Sequence, residues 1–274
     1  MTIEQTRPVA PVSPVAGYVG GKRQLAKTII ARIEAIPHAT YAEVFVGMGG
    51  VFLRRRHAPR AEVINDLSRD VATFFRVLQR HYQPFLDMIK WQLTSRREFE
   101  RLVATNPDTL TDLERAARFL YLQRTAFGGK VAGRGFGVDA RSSGRFNVDK
   151  VGLLLEAVHE RLAAVVIEQL PYAAFLARYD TPGTLFYLDP PYWGSEGYYG
   201  KELFSRDDFA LLSQALRRVQ GRFILSLNDV PGVRACFAGF SFETVEVSYS
   251  ITQAGSTKAR EVIITGGSTG DSVF

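Results

Sequence analysis

The sequence predicts an α/β protein: a parallel sheet, interrupted by a helical insertion and finished by an antiparallel hairpin. Three observations lead there. Short apolar runs alternate with helical stretches, the segment from about Val71 to Thr125 reads as helices alone, and two strand-like runs close the chain.

Taken in order, Met1 to Ala16 contains Pro and Val without a continuous apolar core, which predicts a flexible arm rather than a signal peptide. Tyr18-Val19-Gly20-Gly21-Lys22 then leads into a helical pattern at Leu25, Ile29, Ile30 and Ile33. Gly-Gly-Lys suggests a phosphate loop, but that motif needs four residues between its glycines and Ser or Thr after the lysine, and Arg23 stands there. Lys22 reads better as the partner of a carboxylate, and Tyr18 as cover for an apolar or cationic group. Tyr41 to Val46 is a strand running into Gly47-Met48-Gly49-Gly50, where missing side chains let backbone approach a ligand. Ala61 to Ile64 is a strand ending in Asn65-Asp66. Asp66 either accepts hydrogen bonds from ribose hydroxyls or caps a helix over Leu67 to Gln79.

In the middle, Pro84 to Ala104 is amphipathic, and Thr111 with Glu114 forms a capping pair ahead of a helix from Leu113 to Arg124. Phe127 to Gly144 is glycine-rich. Gly128 to Gly135 is either a DNA-contacting loop or a mobile connector. Strands follow at Val165 to Leu170, Thr184 to Leu188 and Phe223 to Leu227, with a helix at Arg206 to Val219 behind Ser205 and Asp208. Phe242 to Ile251 and Arg260 to Thr265 form the hairpin. This pattern divides the chain into a discontinuous domain, 1–68 with 149–274, and an insertion, 69–148.

Asp189-Pro190-Pro191-Tyr192 follows the apolar run Thr184 to Leu188 and is the most informative string in the chain. Asp189 offers carboxylate acceptors. Pro190 and Pro191 have no N–H and stiffen the turn, so Pro190's carbonyl is free to accept a second hydrogen. Tyr192 adds a flat face on which an extruded base can stack. Together these describe a pocket for a planar ring bearing an amino group.

A net charge of +6 and a pI near 9.5 favour a polyanionic partner. The bases cluster between Arg115 and Val148, as Arg115, Arg118, Arg124, Lys130, Arg134, Arg141 and Arg145, against the single acid Asp139, so phosphate contacts are expected there. Cys236 is alone, so no internal disulfide forms, and no Cys/His grouping has zinc spacing; no metal is expected. His38, His57, His81 and His159 are scattered and read as surface or packing residues. No stretch approaches the length of a membrane span.

With these segments on the page, the chain resembles the Dam-like DNA adenine methylases. The resemblance rests on Tyr18 to Lys22, Glu43 to Gly50, Asn65-Asp66-Leu67, Phe119 to Arg124, Arg145 to Val148, Asp189 to Tyr192 and Arg260 to Ile264. The chain departs from that family at Tyr18, where Trp is frequent, at Met48, where a small residue is frequent, and at Gly128, where Asn is frequent. The resemblance implies a Rossmann-like methyltransferase sheet in the discontinuous domain and a target-recognition role for the insertion. It implies S-adenosyl-L-methionine as cofactor and the exocyclic nitrogen of a flipped adenine in duplex DNA as target. It carries Tyr18, Lys22, Phe45, Gly47, Gly49, Asp66 and Asp189 to the cofactor and Asp189, Pro190, Pro191 and Tyr192 to catalysis. The basic cluster points Arg124, Lys130, Arg134 and Arg145 toward DNA; which arginine reads bases is left open by the sequence, with Arg134 the first candidate and Arg124 more like a phosphate contact. A cytoplasmic enzyme is expected, with any restriction endonuclease a separate protein. RNA adenine methylation, DNA cytosine methylation and a catalytically silent DNA-binding homologue stay open as alternatives.

Overall fold

The computed structural model describes residues 6–137, 144–198, 203–252 and 255–267. The chain begins with β1 (Arg7–Pro8), α1 (Ala26–Ala35), β2 (Thr40–Glu43), β3 (His57–Ala58) and β4 (Ala61–Asn65). A helical stretch follows: α2 (Arg69–Arg80), α3 (Tyr82–Ile89), α4 (Arg96–Ala104), α5 (Asp112–Thr125) and, after the glycine-rich segment, α6 (Val148–Arg161). Then come β5 (Val166–Glu168), α7 (Tyr172–Tyr179), β6 (Thr184–Leu188), α8 (Asp208–Leu216), β7 (Arg222–Asn228), α9 (Pro231–Cys236), β8 (Ser241–Thr252) and β9 (Gly255–Gly267).

Seven strands form one sheet in the order β5-β4-β2-β6-β7-β9-β8. Pairs from β5 through β7 are parallel, and β9 runs antiparallel to both β7 and β8. The mixed sheet with an antiparallel end is as the sequence pattern predicts. Alternation along each strand sorts side chains onto two cores: Tyr41, Ile64, Leu185, Tyr187 and Ile224 face α1, α2, α5 and α6, while Ala42, Val63, Phe186, Leu188 and Phe223 face α7, α8 and α9. Every residue of β6 is buried, as a central parallel strand covered on both faces requires. From β2 the chain steps outward through β4 to β5, then returns to β6 on the other side of β2. The crevice at the carboxyl ends of β2 and β6 is thus a topological switch point, where open α/β sheets place ligands.

Helices α2 to α5 lie between β4 and β5 in the chain yet share one apolar core with Tyr41, Ile64, Leu185 and Ile224 of the sheet, and among the helices Phe74 of α2 packs on Phe85 of α3 and Phe119 of α5. α5 opens with the expected capping box between Thr111 and Glu114. The amphipathic stretch Pro84 to Ala104 is divided between two helices, α3 and α4. Tyr121 decides the break: its hydroxyl donates to Leu93 O at 3.0 Å and accepts from Ser95 N–H at 3.0 Å, and Ser95 then caps α4.

Of the flexible arm expected over Met1 to Ala16, Met1 to Gln5 lie outside the described residues, and Thr6 to Ala16 differ from that expectation. β1 pairs with β3, Val9 N–H donates to Arg56 O and Val12 N–H to Leu53 O, and Val12 and Val15 are buried. Apolar side chains two or three residues apart found a core that the local sequence does not announce. Among the described residues no helix is long and apolar enough to cross a membrane.

Candidate active site

The carboxyl ends of β2, β4 and β6 open onto a cavity of about 570 Å³, within the roughly 300–1,000 Å³ typical of small-molecule sites. Tyr18, Lys22, Phe45, Gly47, Asp66, Asp189 and Pro191 all line it. Segments far apart in sequence therefore meet where the topology predicts a ligand.

The turn after β2 shapes one wall. Gly47 has φ +51°, and a Cβ there would fall 3.0 Å from two ring carbons of Tyr18, so only glycine lets this ring lie against the backbone. Gly49 also has positive φ, but its open side faces Leu53 and Phe75 instead of the cavity, and its N–H closes the turn onto Val46 O at 2.8 Å. The expectation that Gly49 touches a cofactor is thereby corrected: the neighbours that line the cavity are Met48 and Gly50.

Asp66 ties this turn to β4. Its Oδ2 accepts from Gly47 N–H at 2.9 Å and its Oδ1 from Ser68 N–H at 2.9 Å, while Ser68, not Asp66, occupies the N-cap of α2. Burial pushes the Asp66 carboxyl up to about 6, with the two N–H donors opposing. Raised above its open-chain value, the carboxyl costs stability, a cost absent below the unfolded pKa and fully present above about pH 6. A fold that keeps such a group has placed an acceptor facing the cavity at some expense. On the far wall Phe45 packs edge-on to Phe204 and obliquely on Tyr172, giving an apolar, aromatic lobe.

At the end of β6, Asp189 enters a charged cluster. Lys22 Nζ stands 2.8 Å from Asp189 Oδ1 and 3.1 Å from Glu261 Oε2, and it also donates to the Tyr192 hydroxyl. Ser226 on β7 donates to Asp189 Oδ1 at 3.1 Å, and the Tyr187 hydroxyl lies 2.9 Å from Ser226 Oγ. Burial raises the Asp189 carboxyl to about 6, while Lys22 pulls it down. Glu43, at the end of β2, is buried, accepts from Tyr41 at 2.5 Å, and is pushed up to about 8 mainly by burial. Two carboxyl groups, Asp189 and Glu261, thus meet the one amine of Lys22, an acidic balance that suits a cationic ligand.

Just past the cavity, Pro190 is buried, and neither it nor Tyr192 belongs to the cavity wall. Asn228 fixes the loop that follows: its Oδ1 accepts from Trp193 N–H and its Nδ2 donates to Trp193 O, both at 3.0 Å.

A family model for D12 class N6 adenine-specific DNA methyltransferases matches residues 18–251. The chain belongs to this family. It is an adenine-specific DNA methyltransferase, and its membership implies S-adenosyl-L-methionine as methyl donor. Similar curated proteins include the type II methyltransferase M.CviBI of Paramecium bursaria Chlorella virus NC1A, 20% identical over 87% of this chain and 91% of the relative. The type II methyltransferase M1.LlaDCHI of Lactococcus lactis subsp. cremoris is 24% identical over 92% and 94%, and the Retron Ec67 DNA adenine methylase of Escherichia coli is 23% identical over 92% and 90%.

The methyltransferase's basic segment is less exposed than its composition suggests. Arg115 and Arg118 are buried, held by Asp70 and by Leu102 O, which corrects the expectation of phosphate contacts at these two. Arg124 likewise binds carbonyls, those of Val15 and Arg145, and lines the cavity; its guanidinium tethers the N-terminal segment rather than standing free for a phosphate. Lys130 is exposed, and Arg134 and Arg145 are half-buried, the first donating to Gln123 Oε1 at 3.3 Å. Arg141 and Asp139 lie outside the described residues.

Glu43, Ser226, Asn228, Glu261, Tyr172 and Phe204 join the site without having been singled out as site residues. Glu43 and Glu261 stood within motifs already noticed, and a carboxylate adjoining an apolar run was the available signal. Ser226 and Asn228 look like ordinary strand and turn residues until β7 pairs with β6.

Proposed function

We propose that this methyltransferase binds S-adenosyl-L-methionine in the 570 Å³ cavity and presents the exocyclic amine of a flipped adenine in duplex DNA to Asp189, Pro190 and Tyr192. The observation that carries this reading is the convergence of Asp66 and Asp189 on one cavity. The wall fits an amino-acid-bearing nucleoside: Tyr18 and Lys22 toward the methionine part, Phe45 and Gly47 along the nucleoside, Asp66 on the ribose. When bound, the cofactor supplies an electrophilic methyl group on a sulfonium.

Asp189 accepts one amine hydrogen and Pro190's carbonyl the other, which draws the nitrogen lone pair out of ring conjugation. Tyr192 supplies the stacking face, offsetting the few kcal/mol that unstacking costs. A neutral aromatic amine is too weak an acid to lose its proton first, so the proton leaves only once the nitrogen carries positive charge, with ionised Asp189 beside it. Positioning carries most of the catalysis, and aligned reactants lower barriers by about 7–11 kcal/mol. Helices α2 to α5 and the glycine-rich segment form the target-recognition part, with Lys130, Arg134 and Arg145 toward DNA. The type II relatives support a restriction endonuclease as a separate partner, and an intracellular, cytoplasmic setting follows from the substrate.

Methylation of mixed genomic DNA, read by single-molecule sequencing, tests the whole reading: modified adenines in one sequence context are expected, and modified cytosines or no modification would reject it. Because Asp189 must be ionised and titrates near 6, kcat/KM is expected to fall about tenfold per pH unit below that value and to level off above it. Asp66→Ala is expected to weaken cofactor binding by about 1–3 kcal/mol, the cost of one lost charge-assisted hydrogen bond and a loosened Gly47, with little change in DNA affinity. Calorimetric titration with cofactor checks this, and an unchanged Kd would remove Asp66 from the cofactor site.

A further inference from the structure

The antiparallel end of the sheet brings a carboxylate to the active site from the most C-terminal strand. Glu261 lies on β9 opposite Asn228 of β7, is 1% exposed, and stands 3.1 Å from Lys22 Nζ. An ammonium has three donors, and those of Lys22 find Asp189, Glu261 and the Tyr192 hydroxyl. Two of these three acceptors belong to the groups that receive adenine. The third holds the lysine from a rigid strand. A long, flexible side chain carries considerable rotamer entropy, and a second buried anchor is what confines it to one position.

We propose that Glu261 is a positioning residue for methyl transfer: it anchors Lys22, and through Lys22 sets where the Asp189 carboxylate and the Tyr192 hydroxyl stand. The inference rests on the reading of Asp189 and Tyr192 given above. It makes the terminal hairpin part of the catalytic apparatus, which explains why β9 carries a buried acid directly before the buried Val262, Ile263 and Ile264.

The electrostatics supply a signature that a purely structural role lacks. Asp189 is faced by Lys22 from the segment before α1, Glu261 from β9, Ser226 from β7, Tyr187 from its own strand and Glu43 from β2. Among these, Glu261 raises the Asp189 carboxyl and Lys22 lowers it. Neutralising Glu261 therefore moves the acid limb of kcat/KM to lower pH, and neutralising Lys22 moves it to higher pH.

The test compares Glu261→Gln, Lys22→Met, the double variant and Asp189→Asn in steady-state methyl transfer to DNA, with cofactor affinity measured separately. Glu261→Gln is expected to lower kcat about tenfold with the acid limb displaced downward. In the Lys22→Met background the same change is expected to cost less than about twofold, because its effect passes through the lysine. Glu261→Asp, which keeps the charge but withdraws it by one methylene, is expected to lose kcat with the limb in place, and carries the test if Glu261→Gln does not fold. A folded Glu261→Gln with unchanged kcat and acid limb, or an undiminished effect in the double variant, overturns the proposal. Full turnover by Asp189→Asn would instead overturn the underlying reading of the site, so the two failures are distinguishable.

Discussion

Asp189→Ala is expected to bind duplex DNA nearly as the parent does and to lose methyl transfer by about three orders of magnitude. In the proposed site the carboxylate offers the acceptor that aligns the amine and the charge that stabilises the nitrogen as it becomes cationic, and removing one such preorganised group elsewhere costs about 10²–10³ in turnover. The variant also strips Lys22 of its closest carboxylate, at 2.8 Å, leaving the ammonium to Glu261 and Tyr192. The groups proposed to face DNA lie on other elements, so DNA affinity is expected to persist. Gel-shift titration beside transfer of tritium from labelled cofactor checks both halves, and undiminished transfer would end the assignment.

Glu62→Gln is expected to destabilise the fold by about 3–5 kcal/mol, the range for removing one partner of a buried ion pair. Glu62 lies on β4, 3% exposed, with Arg55 Nη1 at 2.9 Å and Arg161 at 2.7 Å through both terminal nitrogens. Two guanidinium groups thus share one carboxylate, each also covering a ring, Tyr41 for Arg55 and Phe52 for Arg161. His38, 3.4 Å from Arg55, is held below its ordinary pKa mainly by burial, so it adds no third charge at neutral pH. A neutral amide at position 62 would leave two desolvated cations facing each other. Urea unfolding followed by circular dichroism measures the loss; a midpoint shift worth less than about 1 kcal/mol would show that the cluster is better solvated than its burial implies.

Much of the site was readable as local chemistry. Glycines at 47 and 49 announced a turn with unusual backbone, and both do have positive φ, but which one faces the ligand depends on where Tyr18 and Leu53 fall. The same limit applies to the basic residues. Arg115, Arg118 and Lys130 look alike as letters, yet Asp70 and Leu102 hold the first two in buried positions while Lys130 stays exposed. The amphipathic pattern of Pro84 to Ala104 likewise does not mark where one helix ends and the next begins, because a local pattern carries no trace of the Tyr121 hydroxyl on α5 that holds Leu93 and Ser95.

The sequence by itself determined the class of fold and the strand ends that bear Asp66 and Asp189, because periodicity and short motifs are local properties of the chain, while its resemblance to the Dam-like methylases implied the kind of reaction. Tertiary structure alone decided that Lys22 is held between Asp189 and Glu261, that the N-terminal segment is packed rather than free, and that Arg124 grips carbonyls. These pairings join residues distant in the chain, and they exist only once strand order and register bring the partners within hydrogen-bonding distance.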